Sequence, residues 1–527
     1  MRNQSSGEAM NYAQMNGFGK PDEQPVFIGK DILELLSSSM YVNPLSIYRE
    51  YIQNAVDAID DAVSAGLLES SDAGVIEIDL DQSGRRATIR DNGFGVPNDE
   101  FPHTMLSFGG SEKRSTNARG FRGVGRLSGL GFVQQLVFRS RAAGDRYVLE
   151  AVWDGRLVKR LLLSTDADND LSTVVQKTIR INRIDSQDYP ARFFEVELIK
   201  PRRISNDKLL NESEIETFLA QTCPCHFSPE FGQGQEIEKL LSIYGCAGRS
   251  YGIFLNGSAT PIYRPYRETV TYSETKVANV SELRTFNIKG IDEGIAAIGW
   301  FVHHEYQGAI PVSQGIRGLR ARIGNIQVGD DRVFSDVFPE ERFCSWTIGE
   351  VHVLDPRVVP NGRRDAFEAN VHLDNIIMHL RPVVSEIARE CRFSSQRRNR
   401  RKAFELREGK VVEKLDIIRQ GAISENYAKA IKVEIGSLLM EMQKTAQFEM
   451  FDDDEKAVLK NRYAEIEAKV DTCIKVDNGG GFESLPKRHQ ELYRDVFDLI
   501  YDCSANQVAA KSLIDRILDR ISSVVFD

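Results

Sequence analysis

PLSIYREYIQNAVDAID, residues 44–60, has the period of an amphipathic helix. Asn43 suits the cap and Pro44 the first helical position. Leu45, Tyr48, Ile52, Ala55, Val56 and Ile59 fall on one apolar face. Glu50, Asn54 and Asp57 stand at i, i+4 and i+7, so they line up along one side. By itself such a stripe predicts a surface helix with a solvated polar face. A chemical role needs partners elsewhere in the chain.

Two stretches downstream offer them. VIEIDL (75–80) and RATIR (86–90) alternate as strands, and Asp81, Gln82, Ser83 and Gly84 between them make a hairpin turn. The second strand runs directly into Asp91-Asn92-Gly93-Phe94-Gly95-Val96-Pro97. Further on, a polar stretch with Gly109 and Gly110 ends in Gly120-Phe121-Arg122-Gly123-Val124-Gly125, and residues 126–135 read as a helix after it. A glycine loop at a helix N-terminus presents N–H groups to phosphate, aided by the helix dipole. A buried carboxylate at a strand end accepts a hydrogen bond from an adenine amino group. An Asn carbonyl suits Mg²⁺, a hard cation. A Glu one turn away can deprotonate water. The chain has no G-x-x-x-x-G-K-[ST], which excludes a P-loop. Gly123 to Gly129 has the wrong spacing and context for a dinucleotide fingerprint.

The order Glu-x-x-x-Asn, Asp-x-Gly-x-Gly, Gly-x-x-Gly-x-Gly resembles that of the GHKL ATPases: gyrase B, the 90-kilodalton heat-shock chaperones, histidine kinases and the mismatch-repair MutL proteins. Arg49 to Ala58 and the lead-in 31–41 are most similar to the HtpG-type chaperones. The resemblance implies ATP as the ligand, with Mg²⁺. It implies Glu50 as catalytic base, Asn54 as the Mg²⁺ ligand, Asp91 as the adenine reader with Gly93 and Gly95 beside it, and Asp57 near the nucleotide. Gly120, Phe121, Arg122, Gly123, Val124 and Gly125 correspond to the phosphate loop, and Ser111 and Lys113 fall in the ATP lid. The family's later Gly-Thr element is absent, with Ala191-Arg192 in its place. Val359-Pro360-Asn361-Gly362-Arg363-Arg364-Asp365-Ala366-Phe367 resembles the chaperone loop that sends an Arg to the γ-phosphate. Arg364 is the better match and Arg363 the alternative.

The α+β chain divides into four parts: the tail and the helical end are read from composition and period, the two parts between them also from the resemblance. A flexible tail (1–24) precedes a GHKL (Bergerat) α/β-sandwich ATPase domain (25–203). A mixed α/β middle domain (204–395) follows, transducer-like and similar to the ribosomal protein S5 domain 2 fold, and then an all-helical C-terminal region (396–527). Strands are expected at 136–140, 147–153, 157–163, 174–181, 193–199, 296–303 and 351–354. Asn256-Gly257 predicts a hairpin over 251–263. Helices are expected at 31–40, 374–391, 403–419, 424–442, 454–473, 486–503 and 506–524. The family implies an ATP-driven clamp: a homodimer acting on a client protein. The alternative is a DNA- or RNA-acting ATPase of the mismatch-repair or chromatin-remodelling kind, for which the basic run Arg397, Arg398, Arg400, Arg401, Lys402 offers a local contact. A binding module without hydrolysis and a histidine kinase fit less well, the first because Glu50 is intact and the second because no phosphoacceptor helix precedes the domain.

Composition agrees with a globular reading. The 527 residues are 41% hydrophobic and 27% charged, enough for several cores. A net charge of −10 argues against the whole surface binding nucleic acid or an acidic membrane. The seven scattered cysteines read as reduced thiols. Cys223-Pro224-Cys225-His226 has no second ligand pair at zinc spacing. With no long apolar run and no signal-like start, the expected location is the cytoplasm, away from membrane.

Overall fold

The computed structural model describes Leu33 and residues 43–107, 125–164, 170–245, 249–475 and 485–525. Outside them lie the predicted tail, the predicted helix 31–40 apart from Leu33, and Ser111, Lys113, Gly120, Phe121, Arg122, Gly123 and Val124. Two compact units emerge: the described residues to His304 with Ala309–Ser385, and Glu305–Gly308 with Glu386–Asp527. The chain is mixed α/β, with a strand-rich N-terminal domain, a second sheet and a helical C-terminal region.

In the first unit, α1 (Ser46–Ser64) is the predicted helix. Asn43 does not cap it directly: its Oδ1 accepts from the Leu45 N–H at 3.1 Å, and a turn leads in. The apolar face is buried as expected, with Tyr48, Ile52, Val56 and Ile59 at 0% exposure. Each contributes about 1.5–3 kcal/mol of burial, far above the helix's own propensity. Glu50 and Asp57 are buried too, so the stripe is not a solvated face.

Under α1 lies a seven-stranded sheet. In chain order come β1 (Val75–Asp81), β2 (Arg86–Asp91), α2 (Phe101–Leu106), β3 (Gln135–Arg141), β4 (Val148–Asp154), α3 (Gly155–Leu163), α4 (Leu171–Thr178), β5 (Ile179–Ile184), β6 (Phe193–Ile199), α5 (Glu212–Thr222), α6 (Gly234–Ile243) and β7 (Gly252–Leu255). The order across the sheet is β5-β4-β3-β6-β2-β1-β7. All pairs are antiparallel except β1 with β7. Ala87, Ile89 and Asp91 alternate on the buried face of β2, so the strand period itself carries Asp91 beneath α1. Elsewhere across the sheet, Arg139 pairs with Glu150, Glu195 and Glu197, and Arg90 with Glu195.

Four expectations are corrected here. Residues 157–163 and 174–178 are helices rather than strands, because Asp154 and Asp170 cap them: Asp154 Oδ1 accepts from the Arg156 and Leu157 N–H groups, and Asp170 Oδ1 from Thr173 N–H. Residues 126–135 are not a helix. Only a 3₁₀ turn, Gly125–Leu127, forms before β3. Leu127, Leu130 and Val133 are buried there, and Gly129, a poor helix former, approaches α1 so closely that a Cβ would stand 2.4 Å from the Tyr51 hydroxyl. At 251–263 the Asn256-Gly257 turn exists, but no second strand answers β7; the Asn256 N–H and Oδ1 instead extend the pairing to β1.

The second sheet has the order β12-β11-β13-β10-β9-β8, with β8 (Thr269–Ser273), β9 (Lys276–Lys289), β10 (Ile295–His304), β11 (Gly318–Ile323), β12 (Ile326–Val328) and β13 (Ile348–Val353). A buried ionic cluster ties it to its surroundings. Glu350, fully buried, pairs with Arg264 at 2.7 Å and Arg322 at 2.5 Å. Arg322 also donates to Gln221 O at the end of α5, and Arg264 to Cys225 O. The two guanidinium groups hold the Glu350 carboxyl well below the usual carboxylate range against its burial. Removing one partner of such a cluster leaves charge buried and unpaired. Glu350→Ala is expected to cost about 3–5 kcal/mol, read as an earlier urea midpoint.

The helical region starts from α7 (Val371–Gln420), 50 residues long. The predicted break between helices 374–391 and 403–419 is absent: most of the intervening residues are Arg, Lys or Gln, which are good helix formers. In the second unit α8 (Glu425–Ala446), α9 (Asp453–Lys475), α10 (Lys487–Cys503) and α11 (Gln507–Val525) follow. Ile435, Ile466, Val470 and Ile514 are buried in one cluster. The basic run is partly engaged within this unit: Arg397 lies 3.8 Å from Glu455, Arg401 pairs with the same carboxylate, Arg398 donates to Tyr306 O, and Arg400 stacks on Phe448.

Candidate functional site

The face of α1 that carries Glu50, Asn54 and Asp57 meets three other segments of the first unit: the turn after β2, the 3₁₀ turn at Gly125, and the loop around Arg364. The turn after β2 is held by backbone bonds. Phe94 N–H donates to Ala58 O of α1 at 2.8 Å, and Asn92 bridges to Val75 and Ala73. Gly93 lies so close to the helix that a Cβ would stand 2.7 Å from the Ala58 carbonyl carbon. Gly95 has φ +75° and its Cβ would meet Arg141 O at 2.5 Å. Only glycine satisfies both conditions. Gly95→Ala is therefore expected to destabilise the chain by about 1–3 kcal/mol, measurable as an earlier urea midpoint.

Asp91 ends β2 at 4% exposure. Its Oδ1 accepts from Gly93 N–H at 2.8 Å, and among the described residues its second oxygen has no hydrogen bond. Burial pushes the carboxyl up to about 7, against the opposing pull of that N–H and of the nearby Arg192 charge. An acid this desolvated, with one oxygen unclaimed among the described residues, suits a ligand that brings its own N–H donor. The residues present therefore fit an adenine ring.

Glu50 is buried on the same helix, four residues before Asn54. Arg49 Nη2 lies 3.2 Å from Glu50 Oε1. A Cβ on Gly125 would come within 2.8 Å of Glu50 Oε2, so that glycine leaves the carboxylate its room. Asn54 is half-buried, and its side chain has no hydrogen-bond partner among the described residues. Asp57 is buried at 4% exposure.

Arg364 reaches the site from beyond the second sheet. Its φ is +57°, an uncommon value for a residue with a side chain. The turn that imposes it is closed by Arg364 N–H to Asn361 O and by Gly329 N–H to Arg364 O. Arg364 Nε lies 3.7 Å from Glu50 Oε1. Arg363 is exposed, and its carbonyl accepts from Arg49 Nη2 at 3.4 Å. Of the two arginines left open by sequence, Arg364 is the one whose side chain the fold brings to Glu50.

Two residues escaped the reading of the sequence. Arg192 precedes β6, and its charge reaches Asp91; its place in the missing Gly-Thr element was the available signal. Arg126 follows the glycine loop, and its Nε and Nη2 are buried without a partner among the described residues. Nothing in the local sequence separates it from a solvated arginine.

Residues 46–189 match the family model of the histidine kinase-, DNA gyrase B- and HSP90-like ATPases. The chain is 32% identical over 142 residues to chaperone protein HtpG of Coxiella burnetii (strain RSA 331 / Henzerling II), covering 24% of this chain and 22% of that protein. It is 28% identical over 168 residues to chaperone protein HtpG of Salmonella paratyphi A (strain ATCC 9150 / SARB42), covering 29% and 27%. The matches thus span about a quarter of the length of these curated relatives.

Proposed function

We propose that this chain, which is of the GHKL ATPase superfamily and HtpG-like through residues 46–189, binds Mg–ATP against α1 and hydrolyses it to drive a conformational clamp. The observation that carries the nucleotide reading is the buried Asp91 carboxyl, one oxygen held by Gly93 N–H and the other without a hydrogen bond among the described residues. Asp91 takes the adenine amino group. Glu50 takes the proton from the attacking water. Arg364 stabilises charge developing on the terminal phosphate, a role suited to its planar two-pronged edge. Asn54, whose side chain has no partner among the described residues, would offer its oxygen to Mg²⁺, which when bound neutralises phosphate charge. Asp57 lies behind Asn54 on the same stripe. Ser111, Lys113 and residues 120–125 form the lid and phosphate loop. Residues 25–203, 204–395 and 396–527 act as ATPase, transducing and dimerising segments. The helical region forms a homodimer, favoured by its exposed Val433, Met440, Leu492, Leu499 and Val508. The cytoplasm is the proposed location; among the described residues no helix is long and apolar enough to cross a membrane.

The test is phosphate release by the purified chain with ATP and Mg²⁺, alone, with unfolded protein, and with DNA or RNA. Stimulation by unfolded protein is the outcome the clamp reading expects. One observation favours a second reading, a nucleic-acid-acting ATPase: a cleft beside α3 is lined by Arg156, Lys159, Arg160 and Arg202 without an acidic residue. Stimulation by DNA or RNA that Arg156→Glu abolishes would select it.

A further inference from the structure

Arg126 stands on the 3₁₀ turn Gly125–Leu127, directly after the glycine loop. The turn is anchored to α1. The Tyr51 hydroxyl donates to Arg126 O at 3.2 Å and accepts from Gly129 N–H at 3.0 Å. Gly125, the preceding residue, faces the Glu50 carboxylate. Arg126 is thus fixed beside the part of α1 where the terminal phosphates are placed by the reading above.

Its guanidinium is in an uncommon state. Nε and Nη2 are both buried, and among the described residues neither has a hydrogen-bond partner. Among the described residues no carboxylate pairs with it. Burial alone pulls its pKa down to about 10, so it remains a cation at neutral pH. Elsewhere in the unit Arg264 and Arg322 are matched by Glu350, and Arg139 by Glu195 and Glu197; Arg49 and Arg320 each leave only Nε unpartnered, whereas Arg126 leaves both nitrogens of one edge. A buried, unmatched cation is strongly unfavourable unless an anion completes it. Nε and Nη2 form the edge of a guanidinium that donates two parallel N–H bonds to one phosphate or carboxylate group.

We propose that Arg126 is a phosphate ligand: its Nε–Nη2 edge grips the polyphosphate of the bound nucleoside triphosphate. Arg126 thereby makes the site prefer nucleotide over nucleoside. The inference rests on the ATP reading of the site and adds to it a residue outside the glycine loop. The desolvated surroundings strengthen the contact, because the cation has little water to give up when phosphate arrives.

The experiment titrates adenosine and ATP, with Mg²⁺, into the full chain and its Arg126→Leu and Arg126→Lys variants by calorimetry, and records thermal midpoints without nucleotide. Arg126→Leu is expected to bind ATP about ten- to hundredfold more weakly and adenosine unchanged. Its nucleotide-free midpoint should equal or exceed the wild type's, since an unpaired buried charge has been removed. Arg126→Lys keeps the charge without the two-pronged edge and should fall between. Unchanged ATP affinity in Arg126→Leu overturns the proposal, as does an equal loss for adenosine and ATP, or a lowered nucleotide-free midpoint. Should Arg126→Leu not fold, the charge is structural and the proposal is overturned if Arg126→Lys binds ATP like the wild type. A wild type that binds neither ligand refutes the ATP reading itself, a separate result.

Discussion

With Glu50 replaced by Ala, the chain is expected to bind ATP as before and to release phosphate about 10²–10⁴-fold more slowly. The magnitude is that of a positioned general base. Binding survives because Glu50 is no part of the proposed adenine contact at Asp91, which is held by Gly93 N–H and by the Phe94 bond to Ala58 of α1. Two cations, Arg49 and Arg364, lie within 4 Å of its carboxylate. Removing the carboxylate therefore leaves positive charge that favours the triphosphate, and ATP affinity should hold or rise. Glu50→Gln separates charge from volume: it keeps the shape and should lose turnover to a similar extent. Phosphate release by either variant at the wild-type rate would remove Glu50 from the mechanism.

Asp91→Asn is expected to weaken ATP by about 10²-fold or more. Gly93 N–H occupies the side-chain oxygen, so the Asn amide would present a donor to the donating adenine amino group. The pH dependence follows from the same carboxyl. Its native pKa, about 7, lies above the ordinary Asp value of 3.8, because burial disfavours the charged form. Protonation is therefore favoured in the nucleotide-free protein. Stability from this group is present below 3.8 and is lost as pH rises through about 7. ATP needs the ionised acceptor, so affinity should fall about tenfold per pH unit below 7 and level off above it. In Asp91→Asn both slopes should vanish, which unfolding and calorimetry from pH 5.5 to 8.5 would read.

How much could be read beforehand depended on how local the cause was. The hydrophobic period of α1 and the alternation of β1 and β2 are local, and the Asp91 turn follows from where β2 ends. These stretches were legible, together with the α/β class. LVKRLLL at 157–163 was not, because its apolar residues suit a strand as well as a helix. The decision lies in the Asp154 cap one residue before α3. Residues 126–135 misled for a different reason: their apolar spacing suits a helix, but Gly129 lets the chain turn tightly against Tyr51. The continuity of α7 was hidden because charge runs suggest linkers while arginine and lysine are good helix formers. At the site, Glu50, Asn54 and Asp91 carry their signal in spacing. Arg364 reaches Glu50 through an αL turn and more than three hundred residues of intervening chain, a relation no local pattern expresses. Arg192 and Arg126 are visible only as electrostatic facts: one charge acting on a buried acid, the other buried without a partner.

The central claim is that this chain holds ATP through Asp91. Calorimetric titration of ATP with Mg²⁺ into the full chain and into Asp91→Asn tests it most directly. One saturable site in the wild type, lost in the variant while its thermal unfolding stays cooperative, is the predicted result. No binding by the wild type, or equal binding by both, would contradict it.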